Sequence, residues 1–166
     1  STTAALEITN NTAADSTLLV DDFTISAATP IVVTKNADSG AGSLRAALAT
    51  AAGTPAFNLI TFAPALNAGT ITLTSGEIQV SDAGGVALDA SSLSGGLTIS
   101  GGSGDNRIMN QLAGSTLSLR RLTFTSGDTS TGSGGGAIKN AGALSVFECV
   151  FTGNTAPHNA AGGGAI

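Results

Sequence analysis

Two stretches of the chain decide the fold: residues 116–125, TLSLRRLTFT, and residues 143–152, ALSVFECVFT. They align without a gap at a shift of 27 residues, and in both stretches apolar residues lie two apart, as in a strand with one face in a core. The shift places similar residues on one another: Leu117 on Leu144, Leu119 on Val146, Leu122 on Cys149 and Phe124 on Phe151. This match of residue size predicts that one stretch stacks on the other.

A second repeat follows the first: GGGAI occurs at residues 134–138 and again at 162–166, a shift of 28. The repeated residues include Gly135, Gly136, Ala137, Ile138, Gly163, Gly164, Ala165 and Ile166. A repeat of this length with short strands and no helix is typical of one turn of a parallel β-helix. A β-sandwich could use the same strands but would not require the repeat. We therefore expect an all-β, right-handed parallel β-helix, with the glycines in tight corners at positive φ.

Upstream stretches show the same alternation at residues 71–73, 78–80, 86–88 and 97–99. A looser match places Ile71 and Leu73 over Leu97 and Ile99. Residues 70–166 are therefore predicted to form the rungs of the β-helix.

Residues 30–69 are predicted to be a capping segment with a helix at about 43–52. Ser43 is a suitable N-cap, Leu44 and Leu48 lie four apart on one face beside Arg45, and Gly53 is a suitable stop. Because the first rung of a β-helix exposes apolar core and strand edges, we expect this helix to cover it.

Residues 1–29 are interpreted as a β-strand segment, one alternative being the tail of a preceding β domain. Strand-like alternation occurs at residues 6–9 and 18–25. Asp21 and Asp22 could be calcium ligands or solvated strand carboxylates, and the sequence does not decide between these.

Composition excludes several classes of function. Six basic and eleven acidic residues give a net charge of −5, and the scattered cations argue against a nucleic-acid partner. No apolar run approaches the roughly 20 residues that span a bilayer, so we expect no membrane insertion of this segment and an export signal outside it. Cys149 is the only cysteine and is predicted to be an inward, inert thiol.

Several parts of the sequence resemble a known group of proteins, and residues 60–66 and 69–78 are among them. Residues 33–48, VTKNADSGAGSLRAAL, resemble the capping segment of secreted bacterial right-handed β-helix proteins with a Ser-Leu-Arg-Glu-Ala signature, although Ala46 replaces the Glu. GGAI at 135–138 and FTGN at 151–154, which ends in Asn154, are similar to the motifs of the polymorphic outer membrane protein repeat. The resemblance covers residues 31–166 and implies a surface-exposed or secreted protein, some members of the group being adhesins.

No constellation of catalytic, cofactor-binding or metal-binding residues emerges from the sequence. The carboxylates considered are Glu77, Asp82, Asp89, Asp105, Asp128 and Glu148. The 27-residue shift stacks Glu148 on Arg121, which predicts an ion pair between rungs on the outer surface rather than an acid–base couple. His158 has no partner at a readable spacing and is interpreted as a solvated loop residue.

The sequence thus favours an extracellular structural or adhesive module without catalysis, which contacts a protein or glycan surface. Two alternatives stay open: the N-terminal part of a β-helix polysaccharide lyase or glycoside hydrolase, and a subunit of a larger cell-surface assembly. Because the sequence ends at Ile166, the last residue of the second GGGAI, we expect the chain to continue or the open end to contact another subunit.

Overall fold

The computed structural model describes residues 29–129, 134–156 and 163–166. The predicted strands within residues 1–28, with Asp21 and Asp22, lie outside the described residues, as does His158.

Short strands dominate the described residues. In chain order the elements are β1 (Ile31–Val33), α1 (Leu44–Ala52), β2 (Asn58–Phe62), a 3-10 turn (Pro64–Leu66), β3 (Gly69–Thr72), β4 (Ile78–Val80), β5 (Val86–Asp89), β6 (Leu97–Ser100), β7 (Met109–Gln111), β8 (Thr116–Arg120), β9 (Leu122–Thr125), β10 (Ile138–Asn140), β11 (Ala143–Phe147) and β12 (Val150–Thr152).

The strands form three parallel sheets. Sheet A has the order β1-β2-β5-β8-β11, sheet B the order β3-β6-β9-β12, and sheet C the order β4-β7-β10. Each turn of the chain contributes one strand to each sheet in succession, and each strand pairs with its counterpart in the next turn. This arrangement is a parallel β-helix of about four turns with one short helix, as predicted.

The 27-residue shift gives the register between the last two coils. Leu144 pairs with Leu117, and Val146 pairs with Leu119. Phe151 pairs with Phe124, and their rings are stacked with centroids 5.0 Å apart and an interplanar angle of 11°. The stacking of like residues is therefore confirmed.

The looser match between the earlier coils is wrong by two residues. Ile71 pairs with Ile99, and Gly69 rather than Ile71 pairs with Leu97. Leu73 follows the end of β3, where its N–H donates to the Ser100 carbonyl at 2.9 Å. A slip of two residues returns every side chain to the same face of a strand, so alternation alone cannot distinguish the two registers.

The core consists of inward columns that run from coil to coil. In sheet A the column of Ile60, Leu88 and Leu119 is fully buried, and Val146 continues it. Val146 is nevertheless 41 % exposed, because β11 is the edge strand of sheet A in the described structure.

The glycines of the repeated motif serve two purposes. Gly134 has φ +81°, as expected for a corner. For Gly135 and Gly136 the expectation of positive φ is wrong, since a Cβ on Gly136 would instead collide with the carbonyl oxygens of Thr155 and Gly164. These two glycines allow close approach of neighbouring coils.

The two GGGAI copies stack as predicted. Gly136 N–H donates to the Gly164 carbonyl at 2.9 Å, and Ala137 N–H donates to the Ala165 carbonyl at 3.0 Å. Asn154 joins the same coils, because its Oδ1 accepts from the Gly127 N–H at 2.9 Å and its Nδ2 donates to the Phe124 carbonyl at 3.0 Å.

The helix covers the end of the solenoid. The Ser43 hydroxyl accepts a hydrogen bond from the Ala46 N–H at 3.2 Å, which confirms it as the N-cap. Leu44 and Leu48 are buried, and α1 contacts β1, β2 and β4. Since β1 and β2 are paired, the sheet already begins within residues 30–69.

Replacement of Phe124 by Ala should lower the free energy of unfolding by about 4 kcal/mol, because it removes a fully buried ring and leaves a cavity beneath Phe151. Phe147→Ala is the matched control, since that ring is 56 % exposed, and we expect it to cost under about 1 kcal/mol. The chain has no Trp or Tyr, so urea unfolding should be followed by circular dichroism. Equal losses would contradict the stacked core.

Candidate functional site

The predicted ion pair between coils is present on the surface. Arg121 Nε lies 4.0 Å from Glu148 Oε2, and both side chains are exposed. Nearby, Cys149 is partly buried against the core, and burial raises the pKa of its thiol. The ion pair therefore joins adjacent coils, and the thiol contacts the core.

No group of three or more His, Cys, Asp or Glu side chains that could hold a metal occurs within residues 29–129, 134–156 and 163–166. In the same part of the chain, no helix combines the length and the hydropathy that crossing a membrane requires.

Arg45 joins the capping segment to the first coils through an ion pair with Asp38 and hydrogen bonds to two carbonyls. We call these contacts the clamp. Arg45 Nη2 lies 2.7 Å from Asp38 Oδ1 and donates to the Gly76 carbonyl at 2.7 Å, while Nη1 donates to the Glu77 carbonyl at 2.9 Å. Asp38 Oδ2 in turn accepts from the Thr74 N–H at 3.2 Å. The arginine of the capping motif therefore joins the start of α1 to the turn between sheets B and C.

The carboxylate in this clamp is held ionised. Burial by itself would raise the pKa of Asp38, whose side chain is only 6 % exposed, but hydrogen bonds from Arg45, Ser75 and Thr74 and the charge of Arg45 together lower it from 3.8 to about 2.

A second arginine extends this network along the corner. Arg107 Nη1 lies 2.7 Å from Glu77 Oε2, and Asn110 Nδ2 donates to Glu77 Oε1 at 2.8 Å. Arg107 Nε also donates to the Gly135 carbonyl at 2.9 Å. The Glu77 carboxylate therefore joins two adjacent coils, and Arg107 extends the network to a third.

The outer face of sheet A carries a shallow trough of about 360 Å³ that crosses β2, β5, β8 and β11. We call it the sheet A trough. Its floor is a column of directly paired outward residues, Leu59, Ala87, Ser118 and Ser145. Because three of the four side chains are small, the floor is lower than the columns of outward side chains on either side of it.

A polar and aromatic column forms one wall of the trough. Asp89, Arg120 and Phe147 are paired in consecutive coils. The Arg120 guanidinium carbon lies 5.2 Å from the centre of the Phe147 ring, within the range of a cation–π contact. Asp89 Oδ1 accepts the Ser91 N–H at 2.8 Å.

Phe57 lies beside the opposite margin of the floor and is 53 % exposed. Its ring covers Gly85, where an added Cβ would lie 3.3 Å from Phe57 Cδ2 and 3.4 Å from Thr116 Cβ. Exposed aromatic rings thus lie in the columns on both sides of the floor. Such rings can pack against the apolar face of a ligand.

Sequence reasoning identified neither the trough nor the clamp. From the sequence, Asp89 and Glu77 are interpreted only as possible catalytic carboxylates, and Arg121 and Glu148 are the only outward residues of the two repeated stretches that enter a prediction. The signal was present in the same repeat, because outward positions stack on one another as regularly as inward ones.

Comparison of the chain with protein-family models, with curated proteins and with solved structures finds no match.

Replacement of Arg45 by Gln should lower the free energy of unfolding by about 2 kcal/mol, because it removes an ion pair and two charge-assisted hydrogen bonds at the partly buried clamp. Arg121→Gln is the matched control and should cost under about 0.5 kcal/mol, since its ion pair is long and exposed. Urea unfolding measures both. A smaller loss for Arg45→Gln than for Arg121→Gln would contradict the clamp.

The clamp should also weaken in acid. Because the pKa of Asp38 is lower in the folded chain than in the unfolded chain, the contribution of the ionised carboxylate to stability is largely present above pH 3.8 and is lost as the pH falls through about 2. We expect Asp38→Asn to remove about 2 kcal/mol of the stability difference between pH 4 and pH 2. Thermal unfolding over this range would test it, and an unchanged pH dependence in Asp38→Asn would refute it.

Proposed function

We propose that this chain is a structural or adhesive module of a secreted or cell-surface bacterial protein, and that it binds its partner without chemical turnover. The observation that carries the proposal is the sheet A trough, in which exposed aromatic and charged side chains are displayed on a hydrogen-bonded sheet. The resemblance of residues 31–166 to secreted bacterial β-helix proteins supports the extracellular setting.

The sheet beneath the trough makes it suitable for binding. Four strands contribute to the floor, and each is paired in register with its neighbour. Side chains on such a scaffold are pre-positioned, so little conformational entropy is lost when a partner binds.

The chemistry of the trough favours binding over hydrolysis. Asp89 is the one carboxylate among the described residues that line it. Hydrolysis of a glycosidic bond ordinarily uses two carboxylates about 5 to 9.5 Å apart. We therefore propose contact with a partner surface, in which Phe147 and Phe57 supply apolar contact.

Adhesion can be measured with fluorescent beads that carry the purified chain, applied to cultured epithelial cells and to immobilised glycans. We expect the chain to retain at least fivefold more beads than a Phe57→Ala/Phe147→Ala variant, because that variant lacks both exposed rings. Val150→Ala is the control, since Val150 is an exposed apolar residue on sheet B, and it should retain the beads fully.

The same incubation tests the enzymatic alternative. The medium should contain no sugar fragments above those released by uncoated beads. Retention no better than that of uncoated beads would refute an adhesive role, and a time-dependent release of fragments would refute binding without turnover.

A further inference from the structure

We propose that the ligand of the sheet A trough is a glycan in which acidic and neutral sugars alternate. In this proposal Arg120 binds a uronate carboxylate and Phe147 packs against a sugar ring. The inference rests on the proposed adhesive function and adds to it the chemical class of the ligand.

Arg120 is a cation with unused hydrogen-bonding capacity. Among the described residues, ion pairs hold Arg45, Arg107 and Arg121, but none holds Arg120. Its register partner Asp89 lies in the adjacent strand, yet the guanidinium is placed over the Phe147 ring instead. A guanidinium has five N–H donors, so one that is stacked on a ring still presents its edge to a carboxylate.

The floor of the trough offers hydroxyl groups beside apolar surface. Ser118 and Ser145 are directly paired, and within the described part of the chain their hydroxyls have no protein hydrogen-bond partner. Ala87 continues the column with an apolar side chain. A glycan matches this surface, because its hydroxyls can pair with serine, and the C–H faces of two different sugars along the chain can contact Phe147 and Ala87.

An extended peptide or a second copy matches the trough less well. The backbone groups of β5 and β8 are paired within sheet A on both sides, and β11, at one margin of the trough, carries the unpaired edge of the sheet in the described structure. A peptide backbone that adds to this edge would continue the sheet and leave the floor of the trough uncovered. A second copy that docked by the same face would place one concave floor against another. A glycan needs only side-chain partners, and these are what the trough presents.

Asp89 explains why acidic and neutral sugars should alternate in the proposed glycan. It lies one coil from Arg120, and neighbouring strands are about 4.8 Å apart. A carboxylate bound at Arg120 is attracted, whereas a second ligand carboxylate next to Asp89 is repelled. One oxygen of Asp89 accepts the Ser91 N–H, and the other can accept a sugar hydroxyl. The trough therefore selects a neutral sugar beside the acidic one.

Calorimetric titration of the whole chain with defined oligosaccharides tests the proposal. The probes are a hyaluronan hexasaccharide, in which uronate and neutral sugars alternate, its carboxyl-reduced form, and an oligogalacturonate, in which every sugar is acidic. We expect the hyaluronan probe to bind at least tenfold more tightly than either of the others.

Matched variants assign the interaction to the trough. Arg120→Gln should weaken hyaluronan binding at least tenfold, while Arg121→Gln, at the neighbouring but ion-paired arginine, should change it less than twofold. Phe147→Ala should weaken binding about fivefold and Val150→Ala should not. Asp89→Asn should raise the affinity for oligogalacturonate at least threefold, because it removes the repulsion.

The outcomes separate this inference from the proposed function. Equal binding of the reduced probe, equal effects of Arg120→Gln and Arg121→Gln, or no hyaluronan binding would overturn the glycan assignment, and adhesion of the beads would then still stand. Self-association of the chain that Arg120→Gln abolishes would assign the trough to a second copy. Because Arg120 is exposed, the Arg120→Gln variant should fold. Arg120→Lys, which keeps the charge without the planar fork, should lower the affinity for the hyaluronan probe about threefold.

Discussion

The structure depends on one constraint: each strand must pair in parallel, residue for residue, with its counterpart one turn later. In sheet A this pairing joins β2, β5, β8 and β11 in register. It places inward side chains in continuous apolar columns and outward side chains in continuous surface columns. The core and the sheet A trough are therefore two faces of the same ladder, and a residue changed on either face affects its neighbours in the adjacent coils.

A solenoid also needs its terminal coil covered, and here charge and apolar packing act together. Leu44 and Leu48 bury the apolar face of α1, while Arg45 fastens its first turn to Asp38 and to the carbonyls of the facing turn. Arg107 and Glu77 continue the fastening into later coils. The acidic chain thus uses arginines as cross-links between coils, and among the described arginines Arg120 is the exception, since its guanidinium lies over the Phe147 ring and forms no ion pair.

The sequence predicted the fold where repetition was strong and failed where it was weak. The stacking of Phe151 on Phe124 was predicted correctly because residue size repeats from coil to coil. Ser43 was predicted correctly as the N-cap because helix capping depends on the local sequence. The register of β3 was wrong by two residues, and β7 was missed because Met109–Gln111 has no apolar alternation. The trough was not predicted, because the strong repeat relates only β8 and β11, whereas the floor also depends on the register of β2 and β5.

Disulfide trapping tests the register most directly. In a Cys149→Ala background, Ser118→Cys and Ser145→Cys become directly paired cysteines, with Cα atoms at the strand spacing of about 4.8 Å, which a disulfide can span. We predict rapid, intramolecular oxidation of this pair and slow oxidation of Ser118→Cys with Ala143→Cys, which is off register by two residues. Equal rates, or faster oxidation of the off-register pair, would contradict the ladder on which both the fold and the trough depend.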